Sequence, residues 1–227
     1  MTCPIFAYWD DGVGQVEAGF DREWRAVFPQ LKVYSREDVA PVLARHLPSR
    51  VELFQDVRFP AARSDLCRYL MLYEHGGLYT DCAFGIDVPD GLVSLVGQLG
   101  ACGMMLVENK LFRDRRPAEH LLLINGFLYA EPRHPLMLDC LRLAFDNLAR
   151  LRDREASSQR QPYDIWRLTG PWVLNVCAFR NVANGAPDPR HSGWDRADFP
   201  VLDPRHADRT MMIREEDLPV GRAVHRA

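Results

Sequence analysis

No stretch of this 227-residue chain approaches the ~20 consecutive apolar residues that a membrane-spanning helix requires. We therefore expect at most peripheral association with a membrane. The chain also lacks a strong basic excess, since its formal net charge is -3, and its basic residues form no stripe interleaved with aromatic side chains. Proteins that bind single-stranded nucleic acids use such stripes. The sequence therefore predicts no nucleic-acid partner.

Motifs of several common enzyme and metal-binding classes are missing as well. The six cysteines form no C-x-x-C pair and have no histidine at zinc-ligand spacing, and both G-x-S-x-G and a strand-linked G-x-G-x-x-G are absent. A zinc module, an α/β hydrolase and a dinucleotide-dependent dehydrogenase are thus disfavoured. The cysteines lie far apart in mostly apolar surroundings, which predicts buried free thiols. Together with the lack of a signal-like N-terminal segment, they predict a cytoplasmic location.

Apolar and amphipathic segments alternate along the chain. Residues 4–9 and 31–35 have the length and composition of buried strands, whereas residues 36–45 and 134–152 have helical periodicity. This alternation predicts an α/β fold with a mainly parallel sheet flanked by helices, and it places ligands at the carboxyl ends of the strands. The length fits one domain spanning residues 1–227.

One segment of this pattern is ambiguous, and another predicts a mobile loop. Residues 121–129 fit a strand or a helix equally well. Residues 150–161 are charged and polar, and we predict that they form a mobile loop, because such loops often close over a bound ligand.

The most informative segment runs from Arg63 to Asp87. Ser64 is expected to cap a helix whose apolar residues recur at three- and four-residue spacing, while Asp65 and Arg68 lie on a different face, one turn apart. Two interpretations of this pair stay open. It is either a surface ion pair, or a carboxylate and a guanidinium that face a cleft and hold ligand hydroxyl or phosphate oxygens.

A glycine pair and an acid follow that helix. Gly76 and Gly77 predict positive φ angles where the helix ends and the chain turns into a short strand, and the strand ends on the carboxylate of Asp81. Tyr79 precedes Asp81 by two residues, so strand alternation puts both side chains on one face, with the tyrosine hydroxyl within reach of a phosphate. This order is a common way to present a metal-binding carboxylate to a phosphate-bearing substrate.

In these positions the chain resembles the DXD-containing glycosyltransferases of family 32, the Och1-like group, and more distantly the clostridial toxin glucosyltransferases. The pattern of that group is roughly S-D-x-x-R-Y-x-x-L-Y-x-x-G-G-x-Y-x-D-x-D, and it is matched by Ser64, Asp65, Arg68, Tyr69, Leu72, Tyr73, Gly76, Gly77, Tyr79 and Asp81. Other segments that look like parts of the family are Ile5 to Trp9, Asn125 to Pro135, Leu168 to Pro171 and Ala223 to His225.

The resemblance implies a GT-A-like fold and a metal-dependent hexosyltransferase. The donor would be a nucleoside diphosphate sugar based on UDP or GDP, the acceptor a glycan or another hydroxyl compound, and the anomeric configuration would be retained. Mn²⁺ or Mg²⁺, bound weakly and together with the nucleotide diphosphate, would neutralise the leaving group. Surface glycan synthesis is the expected setting.

Individual residues receive roles by their place in the family pattern. Asp81, Asp65 and Arg68 are the predicted catalytic residues, and Asp81 and His225 the predicted metal ligands. The predicted donor-binding residues are Trp9, Tyr8, Asp65, Arg68, Tyr79, Asn125, Thr169 and Gly170. For three of these positions a structural role is an open alternative: a core aromatic at Trp9, an Asn-Gly turn at Asn125 and a frayed tail at His225.

The main departure from the family is the second acid of the D-x-D motif. The residue two beyond Asp81 is Ala83, which has no oxygen to offer a cation; Asp87 could substitute if the chain bends at Gly85. The departure supports an alternative function, a catalytically impaired homologue that binds nucleotide sugars and acts as a partner or regulator of an active transferase.

Overall fold

A computed structural model describes residues 3–11, 16, 18–108, 123–157, 163–179, 202–207 and 209–222. The strands are β1 (Ile5–Tyr8), β2 (Lys32–Tyr34), β3 (Gly77–Thr80), β4 (Phe84–Ile86), β5 (Met104–Glu108), β6 (Leu123–Ala130), β7 (Thr210–Arg214) and β8 (Val220–Arg222). The helices are α1 (Ala18–Val27), α2 (Arg36–His46), α3 (Val51–Asp56), α4 (Pro60–His75), α5 (Pro89–Leu99), α6 (Pro135–Ala156), α7 (Ile165–Leu168), α8 (Pro171–Ala178) and α9 (Pro204–Ala207), with 3₁₀ turns at Pro48–Arg50 and Glu215–Asp217.

Six strands form the central sheet in the order β2-β1-β3-β6-β5-β7. Strand β6 runs antiparallel to both of its neighbours, and the remaining pairs are parallel. The predicted α/β fold with a mainly parallel sheet is therefore confirmed. A separate two-stranded sheet pairs β4 with β8. Because β6 is reversed, its first residues lie beside the carboxyl end of β3.

The hydrophobic core has two parts, one on each face of the sheet. Successive strand residues alternate between them: Phe6 and Tyr79 pack with the helices α2, α4, α6 and α8, whereas Ile5 and Leu78 pack with α1 and α5. The two-stranded sheet joins the second part, since the indole of Trp24 in α1 donates a hydrogen bond to the carbonyl oxygen of Phe84, 2.8 Å away. Helices thus cover both faces of the sheet, as predicted.

The turn between α4 and β3 depends on its two glycines. Gly76 has φ 64° and Gly77 has φ 107°, which confirms the predicted positive angles. A Cβ atom on Gly76 would lie 2.6 Å from the backbone nitrogen of Pro132, and one on Gly77 would lie 2.3 Å from the carbonyl oxygen of Pro4. Both the dihedral angles and the close backbone approach exclude side chains here, so the turn fixes where β3 begins and where Asp81 follows it.

Two local predictions are wrong, and one open alternative is settled. Helix α4 begins at Pro60, with no side-chain cap at Phe59, so Ser64 lies inside the helix and does not cap it. Residues 150–156 continue the long helix α6 and form no loop; residues 158–162 lie outside the described part of the chain. The Asn125-Gly126 pair lies within the buried strand β6, which settles the ambiguity of residues 121–129 from Leu123 onward in favour of a strand.

All six cysteines carry free thiols, as predicted. The prediction that they are buried is right for Cys67, Cys102 and Cys140 and wrong for Cys3, Cys82 and Cys177, which are partly exposed. Burial raises the pKa of the Cys3 thiol to about 11, so that thiol is poorly ionised at neutral pH. Within the described ranges, no helix has both the length and the apolar character needed to cross a bilayer.

Candidate active site

A cavity of about 580 Å³ lies at the carboxyl ends of β1 and β3. We call it the Asp81 cavity. Its wall is formed by the segment that follows β1, the first half of α4, residues 81–83, Asn125 from β6, and the junction of α7 and α8. Ligand sites of α/β proteins are expected at this edge of the sheet, and the volume is within the usual range for a ligand pocket.

The carboxylate of Asp81 is held through one of its two oxygens. Oδ1 accepts hydrogen bonds from the Arg68 guanidinium at 2.9 Å and from the Tyr79 hydroxyl at 2.6 Å. Oδ2 accepts no hydrogen bond from the described residues, and it lies so close to Gly126 that a Cβ atom there would be 2.6 Å away. The side chain is one-third exposed and lines the cavity. Asp81 therefore presents an oriented carboxylate with one oxygen available to a ligand.

Asp65 is buried behind Asp81, and both of its carboxylate oxygens accept hydrogen bonds. Its Oδ1 accepts from the Asn125 amide at 2.8 Å and forms an ion pair with Arg68 at 3.2 Å, while its Oδ2 accepts from the Thr169 hydroxyl at 2.8 Å. Burial raises the pKa of Asp65 to about 6 even though Arg68 and Thr169 lower it, and the charge of Asp81 adds to the rise. The interpretation of Asp65 and Arg68 as a surface ion pair is wrong, because both residues are buried beside the cavity.

Arg68 connects the two carboxylates to the neighbouring strand. One guanidinium nitrogen donates to the carbonyl oxygen of Asn125 at 2.6 Å, and the other contacts the Ser64 hydroxyl, Asp65 and Asp81. Burial alone would lower the pKa of Arg68, but the charges of Asp81 and Asp65 hold it above its ordinary value. Most of its donors are thus used within the protein, which makes Arg68 chiefly a residue that positions the carboxylates.

The hydroxyl of Tyr79 contacts protein groups in this structure. It lies 2.8 Å from the Ser64 hydroxyl as well as donating to Asp81, and the tyrosine side chain is fully buried, with the Arg68 guanidinium over its ring. Burial raises the pKa of Tyr79 well above its ordinary value, so the hydroxyl keeps its proton. The structure thus places Tyr79 on the same face as Asp81, as predicted, and uses its hydroxyl to orient that carboxylate.

Strand β6 and helix α8 complete the polar cluster. Asn125 lines the cavity and is buried, and Gly170, which also lines it, directly precedes the first residue of α8. The buried amide of Asn175 joins the two elements, accepting from the backbone nitrogen of Leu123 at 3.0 Å and donating to its carbonyl oxygen at 3.2 Å. Asp65, Asn125 and Thr169 consequently occupy fixed relative positions.

The segment after β1 supplies aromatic rings and a second group of charges that sequence analysis missed. Trp9 lines the cavity and is partly exposed, and Tyr8 lines it with its hydroxyl donating to Asp10 at 2.6 Å. Asp10 also accepts two hydrogen bonds from the Arg63 guanidinium, at 2.5 Å each. Burial raises the pKa of Asp10, but the hydrogen bonds from Arg63 and Tyr8 outweigh it and leave the pKa below its ordinary value.

One sequence feature could have identified Asp10 as a site residue: it directly follows a predicted buried strand. Trp166 of α7, whose ring stacks on that of Trp172 at 5.1 Å, also lines the cavity and was missed too. Its position depends on how a four-residue helix packs, and no local pattern in the sequence predicts that.

The residues around Asp81 do not form a metal site by themselves. Ala83 is exposed at the cavity wall without a ligand atom, and Asp87 lies beyond β4 and does not line the cavity, so it does not replace the missing acid. Among the described residues, no group of three or more His, Cys, Asp or Glu side chains could hold an ion. The predicted ligand His225 lies outside the described residues. Oδ2 of Asp81 suits a cation that takes its other ligands from a diphosphate and water.

Part of the chain that lines the Asp81 cavity is similar to a known protein family. Residues 10–88 match the family model described as "Glycosyltransferase sugar-binding region containing DXD motif". The range includes Asp10, Arg63, Asp65, Arg68 and Asp81, and it includes Ala83 at the second acidic position of the motif. The matched range begins just after β1 and includes α4, β3 and the turn after β3, so a segment similar to a glycosyltransferase sugar-binding region forms much of the wall of the Asp81 cavity.

The fold also has a counterpart among solved structures. It is similar to a structure titled "PaToxG Glycosyltransferase", with a TM-score of 0.52 and 14% sequence identity over 80% of this chain and 70% of that chain. At this identity the similarity establishes the GT-A-like fold alone. The search of curated proteins returned no match. The more specific resemblance to family 32 stays a prediction.

Proposed function

We propose that this protein is a glycosyltransferase that moves a hexosyl group from a nucleoside diphosphate sugar to an acceptor hydroxyl. The observation that carries the proposal is the carboxylate of Asp81, which lies at the end of β3 with Oδ1 fixed by Arg68 and Tyr79 and Oδ2 available in a cavity of about 580 Å³. A carboxylate placed in this way suits the diphosphate end of a donor, because it can hold a cation that accompanies the phosphates.

The donor's nucleoside is expected at the β1 side of the cavity. Trp9 offers an aromatic face that can stack on the uracil of UDP or the guanine of GDP, and Tyr8 offers a second ring whose hydroxyl is already bound to Asp10. The donor sugar would then extend toward Asp65, Asn125, Thr169 and Gly170. Asp65 accepts three contacts and has capacity for one more, so it can take a hydrogen bond from a sugar hydroxyl.

In the proposed reaction, the bond between the anomeric carbon and the diphosphate oxygen breaks while the acceptor oxygen bonds to the same carbon. The acceptor oxygen approaches the anomeric carbon from the face that the diphosphate leaves, and its proton passes to the departing phosphate oxygen. The anomeric configuration is therefore retained without a covalent enzyme intermediate. Asp65 and Arg68 hold the donor sugar and Asp81 in register. Mn²⁺ or Mg²⁺ bound by Asp81, with His225 as the proposed second ligand, would supply positive charge to the leaving diphosphate.

Ala83 favours a second candidate, a nucleotide-sugar-binding homologue with impaired catalysis that acts as a partner or regulator. One carboxylate in place of two reduces the number of protein ligands available to a cation. Under the first candidate, cytoplasmic assembly of a surface glycan is the proposed role. The Ala83→Asp variant separates the two candidates, since creation of activity in a chain that otherwise only binds nucleotide sugars would favour the impaired homologue.

The function is tested by hydrolysis and transfer assays with UDP- and GDP-sugars, with and without Mn²⁺. We expect turnover that requires the metal and falls at least about a hundredfold in Asp81→Asn, because the charge that stabilises the leaving group is lost. Asp87→Asn, which neutralises a nearby acid outside the cavity, is the matched control and should keep its activity. Undiminished turnover in Asp81→Asn would refute the assigned role.

A further inference from the structure

A second cavity, of about 460 Å³, lies next to the Asp81 cavity. We call it the Tyr163 cavity. Its floor is apolar, formed by side chains of α3 and α6, and its wall includes Val57, Phe59 and Tyr163. The Asp81 cavity is lined by Pro60 and Ile165, which follow closely in the chain, so residues 57–61 and 163–166 form a wall shared by the two cavities.

The shared wall is tied to the Asp81 cavity by Arg63. Its guanidinium binds Asp10 at one side and donates a hydrogen bond to the carbonyl oxygen of Val57 at the other. Arg63 is buried, and each of its three nitrogens has an acceptor. A ligand seated in the Tyr163 cavity would therefore lie at a defined position relative to a donor in the Asp81 cavity.

Two aromatic rings give the Tyr163 cavity a flat apolar surface. The ring centroids of Phe59 and Tyr163 are 4.1 Å apart and the rings are inclined at 38°. Phe59 is 39% exposed, and among the described residues it is the one aromatic side chain in the group of exposed large hydrophobic residues. Aromatic faces of this kind contact the C–H face of a pyranose ring, and the tyrosine hydroxyl adds a polar end. Pairing of the two rings alone does not explain why so much of Phe59 faces solvent.

Four charged side chains surround the rings, and they make no ion pair or hydrogen bond with other residues in the part of the chain that the structure describes. They are Asp56, Arg58, Arg152 and Glu155. Two acids and two guanidinium groups give the rim no net charge, so it offers no net attraction to an anion or a cation. It does offer donors and acceptors for several hydroxyl groups. An apolar floor with convergent polar groups at its edge is the usual form of a small-ligand site.

We propose that the Tyr163 cavity is the acceptor site and that it binds a neutral oligosaccharide. The proposal rests on the proposed transferase function, since it names the substrate class that the Asp81 cavity would act on. The sugar rings would stack on Tyr163 and Phe59, and the four charged groups would bind hydroxyls. The terminal hydroxyl would pass over the exposed residues 59–61 at the edge of the shared wall and so approach the donor's anomeric carbon.

Binding is tested with maltotriose, mannotriose and cellotriose as probes, by saturation-transfer NMR on the full chain. We expect at least one trisaccharide to bind, without displacement by UDP or GDP, and Tyr163→Ala to weaken its affinity about tenfold by removing the stacking surface. Tyr163→Phe keeps the ring and should retain most of the affinity. Met212→Ala, which truncates an equally exposed apolar side chain elsewhere, is the matched control.

Hydrolysis and transfer assays separate failure of this inference from failure of the proposed function. If Tyr163→Ala hydrolyses the donor as wild type does but loses transfer to the trisaccharide, both proposals hold. If transfer, including transfer to a protein acceptor, is unchanged in Tyr163→Ala, or if none of the three probes binds, the acceptor site is refuted. If wild type neither hydrolyses nor transfers but Tyr163→Ala abolishes trisaccharide binding, the cavity is confirmed as a saccharide site and the transferase function fails.

Discussion

Helix α4 carries two clusters of charged residues, each with a carboxylate, and the two clusters differ in their exposure to solvent. Near its beginning, Asp65 and Arg68 have side chains 6% and 4% exposed and share the cavity wall with Asp81. Near its end, Glu74 contacts Arg45, His46 and Arg133, each at 2.7 Å, but the two arginine side chains are more than half exposed. The first cluster is enclosed by protein and the second borders on water.

The pKa values of the two acids move in opposite directions. Burial raises the pKa of Asp65 to about 6 despite its cationic neighbour, whereas hydrogen bonds from Arg45 and then His46, together with the charge of Arg133, lower the pKa of Glu74 to about 2. Cationic partners alone therefore do not decide the outcome. Where solvent is excluded, desolvation of the charge outweighs them, and ionised Asp65 is held at a cost in stability.

Removal of the buried cation should have the largest effect. Arg68→Met leaves Asp65 and Asp81 without their shared counter-ion, and we expect the free energy of unfolding to fall by about 3–5 kcal/mol. Arg45→Met, at the exposed cluster, should cost less than about 1 kcal/mol. Urea denaturation measures both. Equal losses in the two variants would show that the clusters do not differ in the way their burial indicates.

The contributions of Asp65 and Glu74 to the free energy of unfolding should change in opposite directions as the pH rises. The pKa of Asp65 rises from 3.8 to about 6 on folding, so its contribution to the free energy of unfolding is most favourable below pH 3.8 and falls by about 3 kcal/mol as the pH rises through 6. The contribution of Glu74 is present above pH 4.5 and is lost as the pH falls toward 2.

Urea denaturation of wild type, Asp65→Asn and Glu74→Gln between about pH 3.5 and 7 tests this. The free energy of unfolding of wild type, relative to that of Asp65→Asn, should decrease as the pH rises from 4 to 6. The free energy of unfolding of wild type, relative to that of Glu74→Gln, should increase as the pH rises, and this change should occur at the acid end of the range. Parallel curves for the two variants would contradict the assignment.

Gly126→Ala should disturb the buried cluster without removing a charge. The new Cβ would lie 2.6 Å from Oδ2 of Asp81 and 2.9 Å from the ring of Phe84, so the carboxylate must move. We expect a loss of about 1–3 kcal/mol in stability and weaker binding of nucleotide sugars with Mn²⁺, measured by calorimetric titration. The control is Gly97→Ala in α5, where a Cβ meets nothing within 4 Å. Unchanged donor affinity in Gly126→Ala would show that Oδ2 does not face the ligand.

The smallest effect is expected at the exposed cluster. Glu74→Gln should reduce stability by about 0.5–1 kcal/mol at neutral pH and low salt, and the reduction should shrink in ~1 M NaCl because salt screens exposed charges. The Arg68→Met loss should persist in the same salt. A salt-independent Glu74→Gln effect would indicate that this cluster behaves like the buried one.

Local signals predicted the parts of the site that lie within one chain segment. The glycine turn, the strand and the spacing of Asp65, Arg68 and Asp81 are all encoded within residues 63–87, so sequence patterns sufficed. The contact between Asp10 and Arg63 joins residues 53 positions apart, and it depends on how α4 packs on β1. No periodicity within either segment encodes such a contact.

Asn125 and Ser64 show how tertiary structure overrides a local preference. The Asn125-Gly126 pair favours a turn in isolation, but it lies inside strand β6, between Ile124, which pairs with β5, and Phe127, which pairs with β3. Ser64 has the chemistry of a helix cap, yet Pro60 begins the helix one turn earlier and the Ser64 hydroxyl contacts Tyr79 instead. The oxygen that would have bonded a backbone amide became part of the support for Asp81.

The buried amide of Asn175 has a consequence for the thermodynamics of ligand recognition. It fastens α8 to β6 through two hydrogen bonds, so the hydroxyl of Thr169 and the amide of Asn125 are immobilised when the chain folds. Conformational entropy at these groups is therefore lost before any ligand arrives, and association there should be favoured by enthalpy with little entropic penalty. In Asn175→Ala, these groups would lose their conformational entropy only when the ligand binds. We expect titration calorimetry to show a more unfavourable entropy of binding for this variant than for wild type.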